Sequence, residues 1–196
     1  MISSKQRKFI SWIIGVCILA FATYQTRDQI LHPPVTKVIY DKSIVTRQGE
    51  LIKVAEAIDG DTIILANGDH LRYIGIDTPE EFDPRKPVQC FALQAAAKNR
   101  ELVEGKMIKF YKDVNETDKY GRWLGYVYLE DGTFVNEKLV REGYAFSYPY
   151  VPDISKTEIF RMAEEYARTN KLGLWGGECS ITILKGGREQ TNDLNK

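Results

Sequence analysis

Hydrophobic and polar positions divide this chain into short strand-like runs interleaved with longer helical ones. Leu51 to Ile58 is rich in apolar and β-branched residues and reads as a strand. Thr62 to Leu65 and His70 to Ile76 are two more, facing each other across Asn67-Gly68, a pair that tolerates the positive φ of a tight hairpin. Met107 to Tyr111 and Trp123 to Leu129 complete five strands, the last running into an Asp131-Gly132 turn. Helical spacing governs Gln89 to Val103, Phe134 to Arg141 and Ser155 to Asn170, and in the third Ile159, Met162, Ala163, Tyr166 and Ala167 fall on one side. Five short strands with helices after the third and fifth predict an α+β domain. After Gly176 the chain turns polar and glycine-rich, which predicts a poorly ordered tail over 179–196.

The front of the chain follows a different pattern. Lys5, Arg7 and Lys8 precede a mostly apolar run from Phe9 to Ala22, and Ala20-Phe21-Ala22 offers an A-x-A cleavage site. Residues 1–22 therefore read as an export signal, either cleaved or, if the run extends through Tyr24, kept as an uncleaved anchor. A buried helix of the soluble domain fits poorly, because the apolar residues cover every side rather than one stripe. Cys17 is a weak lipoprotein candidate, since Val16 before it is larger than such processing favours. Residues 23–48, with His32-Pro33-Pro34, read as a tether in which Lys37 to Tyr40 could add a short strand. Either fate of the signal puts residues 49–178 outside the cytoplasm, secreted or held at the outer face of the cytoplasmic membrane. Any membrane contact would run through the N-terminal segment alone.

Composition adds constraint rather than identity. With 43% hydrophobic and 28% charged residues in 196, the profile is that of one soluble globular domain with an appendage. Lys plus Arg and Asp plus Glu each number 27; cleavage after residue 22 would remove Lys5, Arg7 and Lys8 and leave 24 against 27. A slightly acidic domain can hold a polyanion only through a local basic surface.

Three polar clusters change the picture. They are Asp59-Gly60-Asp61-Thr62, then Arg72 with Asp77-Thr78-Pro79-Glu80, then Asp118-Lys119-Tyr120-Gly121-Arg122. Together they supply hard carboxylate oxygens for a divalent cation, a further carboxylate able to act as a base, and two guanidinium groups whose planar forks suit phosphate. That inventory fits metal-assisted cleavage of a phosphodiester, which must activate a water and hold growing charge on phosphoryl oxygens. Alone, Asp-Gly-Asp would be an ordinary turn, Asp-Thr-Pro-Glu a turn cap and Arg72 a solvated strand residue.

In the order, spacing and identity of these motifs, about Leu51 to Gly176 resembles staphylococcal (micrococcal) nuclease, the thermonuclease family. Pro84-Arg85-Lys86 and Val140-Arg141-Glu142-Gly143 agree as well. The resemblance implies a five-stranded OB-fold β-barrel with three α-helices, behind the N-terminal hydrophobic export or anchor helix. It implies a calcium-dependent nuclease acting on DNA and RNA, largely without regard to sequence, and leaving 3′-phosphate products. One Ca²⁺ would be held by Asp61, Asp77 and the backbone carbonyl of Thr78, with Asp59 nearby. Glu80 matches the general base, and Arg72 and Arg122 match the two catalytic arginines. Arg85, Lys86, Lys119, Tyr120, Tyr148 and Tyr150 would contact substrate, although Pro149 obscures the register of the last two.

Glu81 and Asp83 place two acids in the substrate loop, and the hairpin between Asp61 and Arg72 is shorter than in the best-known member. Cys90 and Cys179 are the two cysteines left after the export segment, an even pair that predicts either a disulfide or two free thiols. His32 and His70 are isolated and no zinc spacing occurs. Trp123 and Trp175 read as packing residues. The expected protein is a monomer. The competing reading is a catalytically weak OB-fold nucleic-acid-binding module at the cell surface, which retention of Asp61, Arg72, Asp77, Glu80 and Arg122 argues against.

Overall fold

The computed structural model describes residues 40–41, 45–82 and 87–194. The export segment with Cys17, most of the tether and the loop residues Asp83, Arg85 and Lys86 lie outside them. No helix among the described residues is long and apolar enough to cross a membrane.

Five strands close into a barrel: β1 (Ile52–Ala57), β2 (Thr62–Leu65), β3 (His70–Tyr73), β5 (Met107–Tyr111) and β6 (Trp123–Leu129), in the spatial order β1-β2-β3-β6-β5. Closure removes free sheet edges, and the inward side chains of Val54, Ile63, Leu65, Leu71, Ile108, Phe110 and Val127 are fully buried. Each contributes roughly 1.5–3 kcal/mol by leaving water. Three helices complete the OB-type architecture: α1 (Ala92–Val103), α2 (Val135–Arg141) and α3 (Thr157–Thr169). Helix α2 is keyed to the barrel by Asn136, which is fully buried. Its Nδ2 donates to the carbonyls of Ile74 (3.0 Å) and Gly125 (3.2 Å), and its Oδ1 accepts from Val127 N (2.9 Å).

Three sequence expectations change in detail. The third strand does not run on to Ile76. Gly75 takes φ +78, and a Cβ there would fall 2.3 Å from the Phe160 ring, so only glycine makes this bend. The chain resumes as β4 (Ile76–Asp77), paired with β7 (Phe146–Ser147) instead of the barrel. That diversion sets the position of Asp77. The buried stripe of α3 is Phe160, Ala163 and Ala167, while Ile159, Met162 and Tyr166 lie on an exposed flank. Phe160 wins because its ring fills the space beside Gly75. Finally, the polar tail is not without structure: β8 (Ile181–Ile183) and β9 (Glu189–Thr191) form a hairpin.

Candidate active site

The hairpin register explains how the first two clusters meet. Thr62 pairs with Arg72 across β2 and β3, so Asp61, one residue earlier, lies beside the arginine. Arg72 Nη1 donates to Asp61 Oδ1, and its Nη2 donates to Asp77 Oδ1 at 2.9 Å. One guanidinium fork thus joins the two carboxylates that the motifs offered as cation ligands. Both are almost fully buried, Asp61 at 2% and Asp77 at 4% exposure. Asp61 Oδ2 also accepts from the backbone N–H (3.1 Å) and hydroxyl (3.2 Å) of Thr78. Thr78 therefore engages the cluster through its N–H and hydroxyl donors. Gly60 is required by the close approach of these loops, since a Cβ there would lie 2.6 Å from the Thr78 side chain.

The electrostatics are those of crowded carboxylates. Burial, and then the charge of Asp61, push Asp59 up to about 7. Burial and Asp61 also raise Asp77, against the pull of Arg72 and Arg188. Burial opposes the charge on Arg72, but Asp61, Asp77 and Asp59 more than offset it and raise its pKa. Among the described residues no three His, Cys, Asp or Glu side chains gather as a metal-holding group. The donor chemistry nevertheless suits a hard cation, because two buried carboxylates converge on one positive group with the Asp59 loop beside them.

Buried helix residues hold this loop in place. Asn99 of α1, fully buried, donates to the Asp59 carbonyl (2.8 Å) and accepts from the Tyr73 hydroxyl (2.8 Å). Glu80 is fixed by its main chain: its N–H donates to Gln89 Oε1 (2.7 Å), and Gln89 N donates to its carbonyl (3.0 Å). Glu80 Oε1 accepts from Phe82 N (3.3 Å) rather than meeting the carboxylate cluster. Neither Asn99 nor Gln89 was singled out in the sequence, where each is one polar residue in or before a helix.

The third cluster is a self-contained turn. Asp118 Oδ1 accepts from Tyr120 N (2.9 Å) and Arg122 N (3.0 Å), while its Oδ2 accepts from Arg122 Nε (2.8 Å) and Nη2 (2.7 Å). Burial opposes the charge on Asp118, but these bonds outweigh it and hold the carboxyl below its usual range. Arg122 precedes Trp123, the parallel partner of Leu71, so it falls in register with His70, two residues before Arg72, and its guanidinium is held by Asp118. Tyr120 is 73% exposed, with Lys119 Nζ 4.9 Å and the Arg122 guanidinium 5.6 Å from its ring centre. Tyr148 and Tyr150 stack with centroids 6.5 Å apart, Tyr150 outermost.

The residue most clearly missed is Arg188, which precedes β9. Its Nε donates to Asp77 Oδ2 (2.7 Å) and its Nη2 to Asp77 Oδ1 (3.1 Å), and its guanidinium lies 5.8 Å from the Tyr148 ring centre. Cys90 and Cys179 form a disulfide with Cα atoms 5.8 Å apart, tying this hairpin to the start of α1.

Barrel, carboxylate pair and arginine fork define an OB-type protein with an acidic and basic centre at one rim. A family model described as staphylococcal nuclease homologue matches residues 70–177. The chain belongs to the staphylococcal nuclease family. Endonuclease YncB of Bacillus subtilis (strain 168) is 40% identical over 142 residues, covering 69% of this chain and 67% of that protein. Thermonuclease of Staphylococcus intermedius is 34% identical over 164 residues, 82% of this chain and 95% of its own length. SPbeta prophage-derived endonuclease YokF of Bacillus subtilis (strain 168) is 40% identical over 140 residues, of which this chain spans 47% of the longer relative.

Proposed function

We propose that this chain is a nuclease that hydrolyses phosphodiester bonds of DNA and RNA outside the cytoplasm, and that it depends on calcium. The observation that carries the reading is the convergence of Asp61 and Asp77 on the Arg72 fork. Asp61 and Asp77 would hold the cation, with Asp59 beside them; once bound it would supply Lewis-acid stabilisation of phosphoryl charge. Glu80, its backbone clamped by Gln89, takes the proton from the attacking water. Arg72 and Arg122 donate hydrogen bonds to the phosphoryl oxygens, where charge grows as phosphorus becomes five-coordinate. The bond to the 5′ oxygen breaks and the phosphate stays on the 3′ side. Lys119 and Tyr120 on the exposed turn, Arg85 and Lys86 in the substrate loop, and the tyrosine pair position flanking nucleotides by charge and stacking, without reading sequence.

The test is digestion of end-labelled single-stranded DNA and of RNA by the purified protein, with added calcium or with a chelator, and analysis of product ends. Cleavage that stops with the chelator, resumes with calcium and leaves 3′-phosphates is expected. Cleavage indifferent to chelation would remove the cation from the mechanism.

A further inference from the structure

The segment beyond the family match is built as an arm that reaches back into the site. At its base the Cys90–Cys179 disulfide is reinforced by Cys90 N donating to the Asn192 carbonyl (2.7 Å), Leu194 N to the Val88 carbonyl (2.8 Å) and Thr191 Oγ1 to the Cys90 carbonyl (2.8 Å). Along its length Glu189 pairs with Arg168 of α3 at 2.6 Å. The strand-like base therefore lies against residues 88–90, the segment that clamps Glu80, and the far side delivers Arg188 to Asp77.

We propose that Arg188 is a third substrate-binding arginine, which grips a non-bridging oxygen of the nucleic-acid phosphate beside Tyr148. This deepens the nuclease reading and rests on it. Arg188 occupies the same carboxylate as Arg72, and the two guanidinium groups share Asp77 between them. Its named bonds use two of five N–H donors, and its side chain is 42% exposed, so the fork is fixed on one side and open to an anion on the other. Tyr148 next to it stacks on Tyr150, which is 65% exposed and offers a ring face for a base or sugar, so phosphate and nucleoside recognition lie side by side. A cation held by Asp61 and Asp77 would meet the charge those carboxylates now draw from arginine, leaving more of both forks for phosphate. Asp77 and the disulfide-anchored arm act as the mount.

The test measures binding apart from chemistry. In the full chain carrying Glu80→Gln, affinity for a fluorescein-labelled single-stranded oligodeoxynucleotide is read by anisotropy in calcium, with and without Arg188→Ala, Arg188→Lys and, at the exposed hairpin tip, Lys185→Ala. Loss of a charge-assisted phosphate contact weakens binding by about 10- to 100-fold. Arg188→Ala should show that loss, Arg188→Lys should recover part of it, and Lys185→Ala should bind like the parent. With Glu80 intact, Arg188→Ala should raise KM more than it lowers kcat. Unchanged affinity would overturn the proposal, as would tighter calcium binding by calorimetry with faster turnover, the signature of a plug over the cation site. If the parent binds the oligonucleotide with Arg188-dependent affinity yet the Glu80 protein does not cleave, the nuclease reading fails and the phosphate contact stands.

Discussion

Asn99 shows how much of this site depends on residues that never touch substrate. Its amide spans from the Tyr73 hydroxyl in the barrel wall to the Asp59 carbonyl, so one side chain ties α1 to the turn that presents Asp61. Asn99→Ala leaves a buried hydroxyl and a carbonyl without their partner, which costs roughly 1–3 kcal/mol. Thermal unfolding should shift down accordingly, with turnover falling further than the loss of folded protein explains; an unchanged melting temperature would show that neither bond matters. The grouping of Asp61, Asp77 and Arg72 was legible in the sequence through three motifs taken together and their resemblance to the nuclease family, and the hairpin register that places Asp61 by Arg72 is a local property. Asn99 and Gln89 were not, because a buried polar residue in a helix looks like a solvated one until its partners are known. Arg188 was hidden for a related reason: it stands in a segment with no hydrophobic periodicity.

At the scale of elements, strand and helix periodicity identified all five barrel strands and three helices, since each buries one regular face. Periodicity failed where a single residue redirects the chain. Gly75 ends β3 and sends Ile76 and Asp77 to pair with β7, which depends on the Phe160 ring contributed by α3 far along the sequence. The C-terminal arm is the other case, and Cys179 was its only sequence signal. The Cys90–Cys179 bridge closes a separation of 89 residues, but the arm lies outside the barrel core. Its removal should act locally. In the Cys90→Ser, Cys179→Ser double variant, amide exchange across residues 180–194 should accelerate while the barrel strands keep their protection. Equal acceleration throughout the barrel would make the bridge a global staple instead.

For the whole molecule, charge balance limits how nucleic acid is held. Without residues 1–22 the chain carries 24 Lys and Arg against 27 Asp and Glu, so attraction must come from the basic groups around the rim rather than from a general field. If Arg72, Arg122 and Arg188, with Lys119, Arg85 and Lys86 on the flanks, account for about three to six phosphate contacts, binding of single strands should fall with salt on a log–log slope of about −2 to −4. An anisotropy titration in KCl would give this directly. A slope steeper than about −5 would require a broad basic footprint that the rim does not supply.

In the proposed function a carboxylate-lined rim of this barrel performs phosphodiester hydrolysis with Glu80 as its base. The most direct measurement compares the Glu80 protein with Glu80→Gln on a labelled single-stranded DNA in calcium, with circular dichroism on both. Glu80→Gln should keep its fold and its oligonucleotide affinity while kcat falls by about 10²–10⁴-fold, the usual contribution of a positioned base. A folded variant that cleaves at the parental rate would contradict it. Absence of cleavage by a parent that still binds DNA would leave a binding module in place of an enzyme.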